Sequence, residues 1–270
     1  MYKLGINAGA YDGADISKVI PMLSRIGFDS FFTLWSEELP VEKWADVASR
    51  NNIKYHSIHG PWKYANEIWN GSEEGKLSVS RAKACIDCCA RFDIPIMVVQ
   101  SFIGFKRAVP TDIGVKLWGE VVEHAEKRNI LIGFENLEGE EFLATVMREL
   151  GASPAVRFCW DTGHEHCYNL ETDMMSLYGD KLIATHLHDN LGCSSESKVI
   201  SSRDDLHLMP FDGTLDWKRV MDKLRAVSYD GVLTFELKSR DDGIHDRYMG
   251  LSCEEFFEQA YLRAVRVATL

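Results

Sequence analysis

The sequence predicts an α/β protein of the (β/α)8 barrel class, and three observations lead there. Eight short apolar runs of strand character alternate with eight segments of helical periodicity along the whole chain. Four of those runs end in an acid or a histidine: 130–136 at Glu135, 156–161 at Asp161, 183–190 at His186 and His188, and 231–236 at Glu236. The spacing of these ends repeats, with 26 residues from Glu135 to Asp161, 25 from Asp161 to His186, and 50 to Glu236 through one long insertion. A doubly wound open sheet is the competing architecture, but no glycine-rich phosphate turn follows the first strand and the period continues to the C-terminus.

Residues 2–7 read as the first strand. Behind Asp15 as a cap, Ile16, Val19, Ile20 and Leu23 repeat at helical spacing, and Pro21 is expected to kink that helix. The second strand covers 28–33, with Trp35 in the loop after it and a helix over 41–50. The third, 53–59, closes on His59-Gly60-Pro61-Trp62, and a loop over 60–75 rich in aromatics, Asn, Gly and Ser leads to a helix over 80–92. Residues 94–100 are almost unbroken Ile, Met and Val, which fits a strand buried on both faces. A helix over 111–128 carries Leu117, Val121 and Ala125 on one stripe. The Glu135 strand, a helix to Leu150, the Asp161 strand, a short helix over 172–178 and the His186 strand follow. Residues 191–214 show no periodicity and read as a long loop over the strand ends, where long loops are usually functional or disordered. Trp217, Val220, Met221 and Leu224 mark a helix over 216–226; the eighth strand is 231–237, and Ser252-Cys253-Glu254-Glu255 is a capping box opening the last helix. With no linker or low-complexity segment, residues 1–270 are expected to form one barrel domain, with loops 60–75 and 191–214 over its C-terminal face.

A chain of 270 residues, 46% hydrophobic and 26% charged, suits a globular protein with a sizeable core. The net charge of -11 repels polyphosphate, so neither nucleic acid nor an anionic membrane is an expected partner. No stretch approaches the ~18 uninterrupted apolar residues of a membrane span, and the N-terminal apolar run is too short for a signal peptide, which points to the cytoplasm. Seven cysteines without a spacing framework are expected to be reduced thiols. Cys85, Cys88 and Cys89 lack the second Cys or His pair of a zinc site and read as small buried helix residues.

In a barrel of this class function sits at the C-terminal strand ends, and Glu135, Asp161, His186 and Glu236 lie there on strands five to eight. Each alone could cap a strand or pair with a base such as Lys238 or Arg240. Together, three carboxylates resist ionising unless a cation holds them. Carboxylates with one imidazole favour one hard or borderline divalent ion, Mn2+ or Mg2+, with Zn2+ or Co2+ as alternatives. His186 and His188 alternate with Leu187 and so point the same way.

The series His59, Glu135-Asn136, Asp161-Thr162-Gly163-His164, His186-Leu187-His188-Asp189, Asp205-Leu206-His207 and Phe235-Glu236 resembles the sugar phosphate isomerase/epimerase superfamily, the xylose-isomerase-like TIM barrels, which also include D-tagatose 3-epimerase-type enzymes and apurinic-site endonucleases. The resemblance implies that Glu135, Asp161, His186 and Glu236 bind the metal and that Glu135 and Glu236 also move protons. It implies that His164 touches substrate, as in epimerases, or joins Asp205 and His207 around a second ion, as in endonucleases; Asp204 could stand in for Asp205. His186 aligns as the metal ligand, leaving His188 and Asp189 to order substrate or support the site. The three-zinc endonuclease arrangement would need another histidine where Gln100-Ser101 stands beside His59.

The expected function is therefore a divalent-metal-dependent sugar isomerase or epimerase. The metal stabilises an enediolate while one glutamate removes a proton and the other returns it. A sugar or inosose dehydratase, a zinc-dependent apurinic-site endonuclease-like phosphodiesterase and a catalytically inactive sugar-binding barrel are the alternatives. The substrate is expected to be a sugar or polyol, met by His59, His164, His188 and Gln100. Trp35 and Trp62, with Tyr64, Phe102 and Phe105, follow strand ends where rings could stack on a sugar or simply pack the loops. Lys63, Lys106 and Arg107 could meet a phosphate, but no anion nest accompanies them. Aromatics on long loops would also suit a homo-oligomer.

Overall fold

Eight parallel strands order the molecule in a computed structural model that describes residues 2–63, 65–105, 108–170, 172–241 and 243–270. Tyr64, Lys106 and Arg107 lie outside the described residues. The strands are β1 (Lys3–Asn7), β2 (Ser30–Leu34), β3 (Lys54–His59), β4 (Ile96–Gln100), β5 (Leu131–Glu135), β6 (Val156–Asp161), β7 (Leu182–His186) and β8 (Val232–Phe235). Hydrogen-bonded neighbours follow the order β7-β6-β5-β4-β3-β2-β1-β8. Between them run α1 (Ile16–Ile26), α2 (Val41–Arg50), α3 (Glu73–Arg91), α4 (Asp112–Arg128), α5 (Glu140–Leu150), α6 (Thr162–His164), α7 (Met174–Tyr178), α8 (Trp217–Ala226) and α9 (Cys253–Ala268).

The helices form where the apolar stripe and the caps agree. Asp15 caps α1 through the backbone N–H of Ser17, and Val19, Ile20 and Leu23 bury its inner face; the helix continues through Pro21. Ser252 and Glu255 make the reciprocal capping box of α9. α3 begins at Glu73, seven residues before the expected start, because Ser72 accepts the N–H of Gly75 and caps a polar first turn that carries no apolar stripe. A short helical turn, Ala65–Asn70, also occupies part of the expected 60–75 loop. After β6 the chain makes α6 and a wide turn, Glu165–Asn169, before α7, where the sequence suggested a single short helix.

Two apolar layers result. The large core fills the space between strands and helices, with Phe31, Phe134, Phe158, Trp118, Phe256 and Phe257 among its members. A smaller cluster of Ile96, Val98, Cys159 and Ala184 fills the inside of the barrel. The helices flank a nearly closed barrel whose remaining seam lies between β7 and β8. There the Thr185 hydroxyl accepts the N–H of Thr234 at 3.0 Å and donates to the Val232 carbonyl at 3.3 Å. One residue pair further on, Leu187 N donates to Thr234 O and Glu236 N to Leu187 O. A side-chain hydroxyl thus replaces ladder bonds at the one place where the strands part. No helix among the described residues is long and apolar enough to cross a membrane.

Thr185 is fully buried, so Thr185→Val keeps its shape but leaves the Thr234 N–H unpaired, at an expected cost of about 1–3 kcal/mol. Urea unfolding should show a lower midpoint with an unchanged slope; an unchanged midpoint would mean that the seam closes without the hydroxyl.

Candidate metal centre

β5, β6 and β7 deliver their last residues, and β8 the residue that follows it, to one point. His186 Nδ1 lies 2.5 Å from Glu135 Oε1 and 2.9 Å from Glu236 Oε2. One ligand atom from each of Glu135, Asp161, His186 and Glu236 lies within 4.8 Å of the others. Glu135, Asp161 and His186 are almost wholly buried, and Glu236, at 9% exposure, is the member that reaches the cleft. Among the described residues neither Lys nor Arg pairs with any of the three carboxylates: Lys238 pairs with Asp241 and Arg240 with Asp12. Burial opposes charging His186, but the Glu236 and Glu135 carboxylates outweigh it and hold the imidazole's pKa well above its ordinary range. For Glu135 the same contest, burial against His186 and His59, ends with the carboxyl well below its ordinary range. With imidazoles as the only basic partners of these three buried carboxylates among the described residues, the group is suited to a cation.

Asn136, next to Glu135, brackets Asp161 from the side. Its amide accepts the Asp161 N–H and donates to the Asp161 carbonyl, both at 2.8 Å. Beside Glu135 on β4, Gln100 donates to Glu135 Oε2 and stands 2.8 Å from His59 Nε2. His59 and Gln100 therefore flank the first glutamate, at the position where the endonuclease pattern would place a further metal.

A second group adjoins the first, made of His164, His188, Asp205 and His207, whose ligand atoms also lie within 4.8 Å of one another. Asp205 Oδ2 lies 2.9 Å from His207 Nε2 and 3.4 Å from His164 Nε2. The rings of His188 and His207 stack at 4.0 Å. Backbone carbonyls set the imidazoles: His164 Nδ1 donates to Asn136 O and His207 Nδ1 to Glu236 O, which turns both Nε2 atoms toward Asp205. His207 is held at φ 46°, an uncommon backbone for a non-glycine residue. His188 Nε2 contacts Asp161 at 3.0 Å and so joins the two groups, while its Nδ1 is buried without a partner. This close packing needs Gly163, since a Cβ there would stand 2.0 Å from the His188 ring. Burial opposes charging His164, but Asp161 and Asp205 raise its pKa well above the ordinary value; His188 is raised by Asp161 in the same way.

Asp205 rather than Asp204 enters this group. Asp189 faces elsewhere: its carboxylate accepts the N–H groups of Phe211 and Leu215 and the Trp217 indole, tying the 191–214 loop and α8 to β7. Trp35 is packed into the core against the Cys88 side of α3, and Phe102 stacks on Phe142 at 4.1 Å, because the ends of β2 and β4 turn these rings toward helices. Trp62 is 60% exposed and lines a surface cavity with Lys63, Asn66 and Ile103. Two aromatics that the sequence did not single out stand beside the site: Phe32 stacks on His186 at 4.7 Å, and Tyr168 stacks on His164 at 5.5 Å and meets the edge of Phe105. Glu138 was also silent in the sequence; it is buried, accepts the Gly104 N–H, and burial pushes its carboxyl up near His164 and Asp205.

Fold and geometry thus define a (β/α)8 barrel with an acidic, histidine-rich candidate metal centre at its C-terminal mouth. The chain belongs to the xylose isomerase-like TIM barrel family, whose model matches residues 20–254. Protein y4fM of Sinorhizobium fredii is 34% identical over 154 residues, 55% of this chain and 44% of that protein, so the chain spans less than half of that relative. Among solved structures, the IOLI protein with a zinc atom superposes with a TM-score of 0.79 at 14% identity, covering 100% of this chain and 98% of that one. D-psicose 3-epimerase with D-tagatose from Clostridium cellulolyticum H10 gives 0.71 at 13% identity, covering 99% and 98%. Likeness at such identities is likeness of fold.

Because neighbouring carboxylates raise the pKa of His186 and His164 well above the ordinary histidine value, an entering cation would have to displace protons. Affinity should rise with pH through neutrality, and calorimetry in buffers of different ionisation enthalpy should show release of roughly one proton or more per ion. Binding without proton release would contradict this charge arrangement.

Proposed function

We propose that the chain is a divalent-metal-dependent sugar isomerase or epimerase that works through an enediolate, with Glu135 and Glu236 as acid and base. The observation that carries this reading is the convergence of two glutamates on one imidazole nitrogen, at 2.5 and 2.9 Å, with no Lys or Arg from the described residues to neutralise them. The donor set fits a cation: Glu135, Asp161, His186 and Glu236 offer three carboxylates and one imidazole with ligand atoms within 4.8 Å of one another. Such oxygen-rich ligation favours Mn2+ or Mg2+, with Zn2+ or Co2+ as alternatives. A bound divalent ion supplies the fixed positive charge that an enediolate needs as it forms.

The residues of the chain do the rest. Glu236, the partly exposed glutamate, removes or returns the proton on carbon at the cleft side. Glu135, held by Gln100, approaches from β5 on the other side. His164 and Tyr168 border the substrate, and Gln100 and His59 offer hydrogen bonds near Glu135. A dehydratase would use the same enolate and expel hydroxide from the neighbouring carbon.

A hydrolytic reading is favoured by one observation, the second group of His164, His188, Asp205 and His207. Two ions side by side are the usual equipment for attacking a phosphodiester. The amide of Gln100 beside His59, where a third ion would need imidazole, weighs against the endonuclease form of that reading.

A panel of ketoses and aldoses in deuterated water with Mn2+, followed by NMR, tests the proposal. Solvent deuterium should enter at one carbon of an accepted sugar, with inversion or carbonyl migration there. Binding of sugars without exchange would indicate an inactive barrel, and phosphodiester cleavage with two zinc ions per chain would replace the proposal with the hydrolytic reading. For an accepted sugar, Glu236→Gln should slow exchange by roughly 10²- to 10⁴-fold, the usual worth of a general acid or base; unchanged exchange would remove Glu236 from proton transfer.

A further inference from the structure

Directly beneath the candidate centre lies a side chain that the proposed chemistry leaves unused. Cys159 stands on β6 two residues before Asp161, so it faces the same way one pleat deeper in the barrel. It is fully buried and packs with Ile96, Val98 and Ala184. Its neighbours in register are Glu135 on β5 and Ala184 on β7. Gly133 also adjoins it, where a Cβ would stand only 3.3 Å from that of Cys159. Gly133 and Ala184 are thus the small residues that flank the thiol on the adjoining strands. The sulfur and one ligand atom each from Glu135 and His186 lie within 4.8 Å of one another. A second sign is the His186 ring, whose Nδ1 is engaged by both glutamates while its Nε2 is buried without a hydrogen-bond partner.

Three carboxylates with an imidazole suit a hard or borderline ion, whereas a thiolate with an imidazole and a single carboxylate suits a soft one. We propose that Glu135, Cys159 and His186 form a deeper seat for a thiophilic divalent ion such as Co2+, Zn2+ or Cd2+. The two seats share Glu135 and His186, so one ion occupies one or the other. An ion drawn to the sulfur sits further from the mouth and leaves Asp161 and Glu236 without their cation, so the barrel discriminates among metals by depth. When the deep seat fills, the sulfur–hydrogen bond gives way to a sulfur–metal bond and the thiol proton leaves to solvent. The inference rests on the metal-centre part of the proposed function and is independent of the sugar chemistry.

The full chain, stripped with chelator, is titrated with Co2+ and followed by absorption, with Mn2+ binding followed separately by electron paramagnetic resonance. A sulfur-to-cobalt charge-transfer band should appear in the wild type and vanish in Cys159→Ser. That variant should retain Mn2+ binding within about threefold, because oxygen-rich seats, rather than sulfur, suit this ion; this retention also shows that it is folded. Co2+ bound with ligand-field bands alone would overturn the deep seat and leave the carboxylate centre standing. A charge-transfer band that survives in Cys159→Ser would assign the sulfur to another cysteine and overturn it as well. Failure to bind either ion would remove both seats. Failure of the sugar panel with the cobalt band present would end the isomerase reading alone.

Discussion

Burying three carboxylates around one imidazole, with no guanidinium or ammonium in reach among the described residues, is the constraint on which this site depends. Like charges at such separations cannot all ionise in a low-dielectric setting without a compensating cation. Among the described residues the basic partners are imidazoles alone: His186 and His59 beside Glu135, His186 beside Glu236, and His188 beside Asp161. The carboxylates gather at the strand ends, where a divalent ion could complete the balance. Lys238 and Arg240 lie close in sequence to Glu236, yet they bind Asp241 and Asp12. The basic residues that could have quenched the site are thus committed elsewhere.

Holding charged groups in one geometry requires support that has no charge role of its own. Asn136 clasps the backbone of Asp161 on both its N–H and its carbonyl. Asp189 anchors the long loop through three donors, and this anchorage carries Asp205 and His207 back over the barrel. Main-chain carbonyls of Asn136 and Glu236 orient His164 and His207. Residues that looked like ligands or substrate contacts in the sequence therefore divide into those that touch the cleft and those that hold them there.

The barrel was legible because strand–helix alternation imposes two different apolar periods, and the strand-end acids were legible because their spacing follows the repeat. His186 and His188 show both the reach and the limit of such reading. Alternation correctly puts them on one side, but the partners of each, Glu135 and Glu236 for one and Asp161 for the other, depend on three-dimensional register. Of the two roles open to Trp35 and Phe102, the structure shows packing, because a residue just beyond a strand end can turn toward the helices as readily as toward the cleft. Tyr168 and Glu138 were invisible because they sit in a wide helical turn and a short loop, where no periodicity marks direction. The early start of α3 escaped for a related reason: its first turn is fixed by a cap and packed without an apolar stripe.

Asp161 gives the two histidine-bearing groups a common element. Its Oδ1 accepts the backbone N–H of His164 at 2.7 Å and lies 3.0 Å from His188 Nε2, while Oδ2 lies 3.2 Å from that nitrogen and 3.5 Å from His164 Nδ1. With His188 protonated, Asp161 is partly neutralised from the second group and has less charge to offer the first. Loss of the His188 proton would weaken that hold and leave more of the carboxylate's charge to the side where Glu135, His186 and Glu236 converge. The coupling runs through one carboxylate and needs no movement of a strand. Gly163 makes it available, because a side chain there would drive the His188 ring away from Asp161 and separate the two groups.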